Sequence, residues 1–302
     1  MDKEPMKEEI LKLKKEKDAV LLVHNYQRGE IQDLADYLGD SLGLSHQAAQ
    51  VSGQMIVFCG VKFMAETAKI LSPDKKVLLP RLDAGCPMAN MVDVEELKEF
   101  KARHPKATVV TYVNSTAEVK AESDVCCTSA NAIQVVQNVD ADEIIFTPDR
   151  NLADYAQRFT QKKIIPWEGY CYVHDRFTEE EVLRAKEAHP DALLMVHPEC
   201  RPEVIDRADE VLSTSGMVRM AGESSAKTFL VGTEEGMLYR LKKENPAKTF
   251  YSAGSAKMCV GMKVTKTEDL YQAFVKEQYV IDIPRDIMDR ARTALERMLT
   301  YV

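Results

Sequence analysis

Short apolar runs alternate with amphipathic segments along the whole chain. The apolar runs predict strands at 19–23, 55–58, 76–79, 107–111, 124–126, 143–146, 163–165, 192–196, 210–212, 228–231 and 248–250. They are bounded by Gly, Pro, Asp or Asn, and most are apolar on both faces. That pattern, interleaved with helical periodicity, predicts buried parallel strands in β-α-β units. Residues 5–16 place Met6, Ile10, Leu11 and Leu13 at helical spacing among charges. Asp93 stands as an N-cap before an acidic first turn, and Thr178 with Glu181 forms a capping box. Residues 284–299 predict a long closing helix.

The pattern repeats. Three strands run into polar tips, ending at His24-Asn25-Tyr26, at Tyr112-Val113-Asn114-Ser115 and at His197-Pro198-Glu199. Setting His24, Val113 and His197 level gives shifts of 89 and 84 residues. A second strand is expected to end at Phe58-Cys59-Gly60, Cys126-Cys127-Thr128-Ser129 and Leu212-Ser213-Thr214-Ser215-Gly216, each followed by a helix. The expected architecture is α/β: three pseudo-threefold-related units, each a small parallel sheet flanked by helices. The units are expected at 1–103, 104–188 and 189–302, with the C-terminal helix closing the chain and joining the first unit. In open α/β sheets ligands bind beyond the carboxyl ends of the strands, so these tips should line one central cavity.

Composition narrows the function. The chain has 302 residues and a net charge of −8, which offers no basic field for nucleic acid or an anionic membrane. An anionic substrate must therefore be held by local groups. The charged N-terminus does not read as a signal peptide, and no apolar run approaches the roughly 18 residues a membrane span needs. The expected location is the cytoplasm. Walker A, G-x-G-x-x-G and H-E-x-x-H motifs are all missing, and Gly39-Asp-Ser41-Leu-Gly43 is loop-like and too generic to interpret unaided.

Seven cysteines in such a chain point to metal or redox chemistry. Cys86, Cys171 and Cys259 lie 85 and 88 residues apart, in loop-like stretches with glycine nearby. One from each unit would bring three thiolates to the centre, a soft donor set suited to an iron–sulfur cluster, zinc or copper(I). Three ligands leave one iron of a [4Fe–4S] cluster open as a Lewis acid. Cys59, Cys126, Cys127 and Cys200 read as core or wall residues, and no C-x-x-C occurs. His24, Asn25, Tyr26, Tyr112, Asn114, His197 and Glu199 offer acid–base and binding groups at the tips. Thr128-Ser129 and Thr214-Ser215-Gly216, between strand and helix, offer hydroxyls and free N–H groups to an anion.

Taken together, His24-Asn-Tyr26-Gln, Gly85-Cys86-Pro-Met, Tyr112-Val-Asn114-Ser, Thr128-Ser129-Ala-Asn, Gly169-Tyr-Cys171-Tyr-Val-His174, His197-Pro-Glu199-Cys and Ser213-Thr214-Ser-Gly216 resemble the quinolinate synthases over essentially the whole chain. The resemblance implies three α/β units around one [4Fe–4S] cluster per chain. It implies a transferase of NAD biosynthesis that condenses iminoaspartate with dihydroxyacetone phosphate, releasing quinolinate, phosphate and water. By the same resemblance, Cys86, Cys171 and Cys259 hold the cluster. His24, Ser41, Tyr112, Val113, Asn114, Ser129, His197, Pro198, Glu199 and Thr214 line the dicarboxylate site, and Tyr26, Tyr112, His197 and Glu199 act on protons. An aspartate oxidase or dehydrogenase is the expected source of the imine. The short C-terminal cysteine cluster of some members is missing, so no thiol switch is expected there. A [4Fe–4S] hydro-lyase acting on another hydroxylated di- or tricarboxylate would share the open iron and the anion grip, but not the release of phosphate.

Overall fold

The computed structural model describes residues 3–301. Its strands form three four-stranded sheets, and every pairing is parallel. The first sheet holds β1 (Ala19–His24), β2 (Tyr37–Gly39), β3 (Met55–Cys59) and β4 (Lys76–Leu78). The second holds β5 (Thr108–Tyr112), β6 (Val125–Cys127), β7 (Glu143–Thr147) and β8 (Lys163–Pro166). The third holds β9 (Leu193–Val196), β10 (Glu210–Val211), β11 (Thr228–Gly232) and β12 (Thr249–Ser252). The strand order is the same in all three: β2-β1-β3-β4, β6-β5-β7-β8 and β10-β9-β11-β12. Helices follow the strands and cover the sheets, as the interleaved patterns require.

The register corrects the repeat. Leu22 pairs with Tyr37, Val110 with Val125 and Met195 with Glu210. On the other side Val23 pairs with Cys59, Thr111 with Thr147 and Val196 with Gly232. Both sets are related by shifts of 88 and 85 residues, not 89 and 84. His24 is therefore level with Tyr112, and Val113 is level with Asn25. A one-residue slip turns a side chain to the opposite face of a strand, so the correction decides which residues point together.

A second correction concerns the first unit. Phe58-Cys59-Gly60 ends β3, which is equivalent to β7 and β11 rather than to β6 and β10. The true counterpart of β6 and β10 is β2, which the apolar pattern did not predict. It is a three-residue edge strand whose Tyr37 is 40% exposed and whose last residue is glycine. With no second sheet neighbour to bury it, it carries little hydrophobic signal.

One polar device marks each unit. The carboxylates of Asp36, Asp124 and Asp209 accept the backbone N–H groups of Leu21, Val109 and Leu194 at 2.8, 2.8 and 2.7 Å. Their own N–H groups donate to the carbonyls of the same three residues at 3.0, 3.1 and 3.0 Å. Each aspartate thus ties the start of the edge strand to the first strand of its unit.

The predicted caps are present. Asp93 accepts from Glu95 and Glu96 N–H, and Thr178 and Glu181 form a reciprocal capping box. The closing helix runs Arg285–Met298, with Pro284 as its N-cap residue. It buries Met288, Ala291, Leu295 and Met298 against Ala117–Ala121 and β6 of the second unit and Lys62–Leu71 of the first. Helix Thr267–Lys276 packs on the first helix, Lys3–Glu16. The end of the chain thus ties the first two units together. Among the described residues no helix is long and apolar enough to cross a membrane.

Candidate active site

Each unit contributes four equivalent tips to one cavity, which encloses ≈ 590 Å³ of atom-free space, part of it open to solvent. The first strands supply His24, Tyr112 and His197. Two residues further on stand Tyr26, Asn114 and Glu199. The junctions after the second strands supply Ser41, Ser129 and Thr214, and the loops after the fourth strands supply Cys86, Cys171 and Cys259. All twelve line the cavity. Val113 and Pro198 do not; Val113 instead faces a smaller cavity behind, which it shares with Ser41.

Local structure explains the hydroxyls. Asp40 and Ser213 cap the helices that open at Ser41 and Thr214, accepting the N–H groups of Gly43 and Gly216. Thr128 is held by Asn131, whose Oδ1 accepts from its backbone N–H at 2.8 Å. Two helix N-termini therefore border the cavity with their positive ends. Asn25 Nδ2 donates to Thr214 Oγ1 at 2.8 Å, and Arg240 Nη1 donates to Asn25 Oδ1 at 2.7 Å. The guanidinium fixes which way the amide faces, and the amide occupies a lone pair of the threonine. The Thr214 proton is left to point at a ligand oxygen.

The acid–base groups form a packed set. His174 Nδ1 lies 2.5 Å from Glu199 Oε2, and its ring stacks on His197 with centroids 4.3 Å apart. On its other side, His174 Nε2 is 2.8 Å from Thr233 Oγ1, which is 2.6 Å from the Tyr26 hydroxyl. His197 Nε2 is 3.2 Å from Ser129 Oγ. His174 did not stand out from the sequence as a site residue. Its three-residue spacing from Cys171, which brings both to the same cavity, was the available signal.

Electrostatics divides the roles. Burial alone would raise the Glu199 carboxyl, but the imidazoles of His174 and His197 outweigh it and hold it below the usual carboxylate range. Burial pushes the Tyr26 and Tyr112 phenols well above their ordinary value, and the Glu199 charge pushes the same way. Both stay protonated. Burial lowers His24 to about 4 and His197 to about 3. Two buried acceptors in the wall, Asn114 Oδ1 and Glu199 Oε1, have no protein partner. The cavity thus offers two phenol donors, the acidic side chains of Glu199 and Asp40, and neutral imidazoles at His24 and His197.

The three predicted cysteines are free and half-buried at the cavity, whereas Cys59, Cys126, Cys127 and Cys200 are buried in the core. Burial raises all three cavity thiols, Cys86 to about 12, and each thiol's charge would raise a neighbour's further, Cys259 acting on Cys86 and Cys86 on Cys171. Three buried thiols lining one cavity become thiolates together only when a cationic centre neutralises them. The loops that carry them touch. A Cβ at Gly261 would fall 2.0 Å from the carbonyl oxygen of Gly85, so only glycine fits where the Cys86 and Cys259 loops meet. Val260 N–H donates to the Tyr172 hydroxyl at 2.8 Å, joining the Cys171 and Cys259 loops. Cys171, His174 and Glu199 also bring their donor atoms within 4.8 Å of one another, a second set able to hold a metal ion.

Residues 8–300 match the family described as "Quinolinate synthetase A protein". The chain belongs to the quinolinate synthase family. It is 58% identical to a quinolinate synthase of Thermodesulfovibrio yellowstonii over 296 residues, covering 98% of each chain. It is also 58% identical to one of Methanoregula boonei, over 97% of each chain, and 54% identical to one of Geobacter sp. strain M21, over 99% of this chain and 98% of that one. Quinolinate synthases are enzymes, and in this member every cavity group described above lies within the matched span.

Proposed function

We propose that this protein is a quinolinate synthase in activity as well as in family, condensing iminoaspartate with dihydroxyacetone phosphate to give quinolinate, phosphate and water. The observation that carries the reading is the single cavity in which three thiols, two phenols, the Glu199 carboxylate and three junction hydroxyls, among other groups, converge from three units. Cys86, Cys171 and Cys259 would hold a [4Fe–4S] cluster, and the donor set fits: three free thiols in touching, glycine-bearing loops. When bound, that cluster supplies a Lewis acid for substrate oxygen.

The chain's own residues supply the rest. Ser41, Ser129 and Thr214 grip substrate carboxylates, the Thr214 hydroxyl donating because Asn25 occupies its acceptor side. The unpartnered Asn114 Oδ1 accepts from the substrate imine or a hydroxyl. Glu199, held ionised chiefly by its contact with His174, removes protons during condensation and ring closure. Tyr26 and Tyr112, held protonated, donate to departing oxygens. Burial keeps bulk water from the imine. This activity suits the cytoplasm and a neighbouring enzyme, an aspartate oxidase or dehydrogenase, that supplies the labile imine.

The reading is tested by product stoichiometry. Quinolinate and inorganic phosphate should appear one for one, and dihydroxyacetone without its phosphate should give neither. Phosphate-independent conversion of a hydroxylated dicarboxylate would replace this reading with a hydro-lyase.

A further inference from the structure

We infer that Asp149 and Glu234 are positioning residues for the cysteine loops of the second and third units, each stapling a cluster ligand to the strand tip beside it. The inference rests on the cofactor reading above. Both residues follow the third strand of their sheets, β7 and β11, and are equivalent by the same 85-residue shift that relates those strands. Both are fully buried.

Their contacts correspond oxygen for oxygen. Asp149 Oδ2 accepts the backbone N–H of Cys171 at 2.9 Å, and Oδ1 accepts that of Leu152 at 2.7 Å. Glu234 Oε1 accepts the N–H of Cys259 at 3.1 Å, and Oε2 accepts that of Gly236 at 2.7 Å. In each case one oxygen holds the ligand cysteine and the other holds the start of the residue's own helical segment. The longer glutamate has a further partner, Lys263 Nζ at 3.0 Å from Oε2.

The first unit departs from the scheme. Its equivalent position is Val61, which has no acceptor, and there the loop is held by a backbone bond from Lys62 N–H to Ala84 O at 2.8 Å. Two of the three ligand loops thus depend on a side chain that an isosteric substitution can disable. An amide at either position presents –NH₂ to one of two N–H groups, so one of the paired bonds must break. Partners of this kind, one bond removed from a metal ligand, fix its orientation.

The test uses the full chain purified and reconstituted without oxygen. Iron and sulfide are counted, and iron release to an excess of chelator is timed. Asp149→Asn and Glu234→Gln should release iron about tenfold faster than the parent. Asp209→Asn is the control: it disturbs a carboxylate that accepts a backbone N–H, Leu194 at 2.7 Å, away from the cysteine loops. Its release rate should equal the parent's, even where its metal-free thermal midpoint falls as far as those of the other two. Parent-like release from both test variants, or equal acceleration in Asp209→Asn, overturns the inference. A parent chain that takes up no iron overturns the cofactor reading itself, a separate result visible before any variant is made.

Discussion

The carboxylate of Glu199 is in contact with the imidazole of His174, Oε2 to Nδ1 at 2.5 Å, while its second oxygen has no protein partner. One oxygen is thereby held by the protein and the other left for substrate. Glu199→Gln keeps the volume and removes the charge. Turnover should fall by about 100-fold or more, the usual scale for a general base, while iron content stays at the parent level. Steady-state rates and iron analysis on one preparation check this, and loss of iron instead would make Glu199 a ligand.

Tyr26→Phe removes the hydroxyl that meets Thr233 at 2.6 Å and leaves the ring in place. The loss of one buried hydrogen bond should cost about 1 kcal/mol of stability. The loss of a proton donor should cost about 100-fold in kcat. Tyr112→Phe should behave alike. Unchanged kinetics in either variant would reduce that tyrosine to part of the cavity wall.

Arg240 touches Asn25, not the cavity, and acts through the amide it orients. Arg240→Met should let the Asn25 amide turn, so that Thr214 loses its fixed donor direction. KM for the dicarboxylate should rise about tenfold, the equivalent of one well-placed hydrogen bond, with kcat little changed. A fall in kcat at constant KM would contradict that role.

Much of this arrangement was legible along the chain, and the exceptions have physical causes. Buried parallel strands are apolar on both faces, so nearly all of them stood out as runs. The three cysteines and the polar tips stood out through repetition. β2 did not, because a short edge strand ending in glycine reads as a turn. That omission also hid why Ser41 belongs with Ser129 and Thr214, since all three follow the second strand of their sheets. The one-residue slip at Val113 came from levelling tips by composition, where only backbone pairing shows that Tyr112 stands level with His24. Asp149, Thr233 and Glu234 gave no sign because single polar residues after a strand are common, and their partners lie tens of residues away.

The buried histidines make a pH prediction for the metal-free chain. His24 falls from an ordinary 6.5 to about 4 through burial. Between those values the unfolded chain binds a proton that the folded chain does not, so stability rises with pH across this window. The contribution should be fully present above about pH 6.5. It should decline by on the order of 1.4 kcal/mol for each pH unit as the solution is acidified to about pH 4. Chemical denaturation across that range checks the slope, and His24→Gln should remove this share of it and leave the share that His197, lowered to about 3, contributes over the same window.

The decisive measurement is made on protein purified without oxygen and supplied with dihydroxyacetone phosphate and freshly generated iminoaspartate, with iron counted on the same sample. Chains carrying about four irons should form quinolinate, and Cys86→Ser should hold no iron and form no product. Quinolinate formed at the parent rate by Cys86→Ser, or no quinolinate from fully loaded parent protein, would contradict the proposed function.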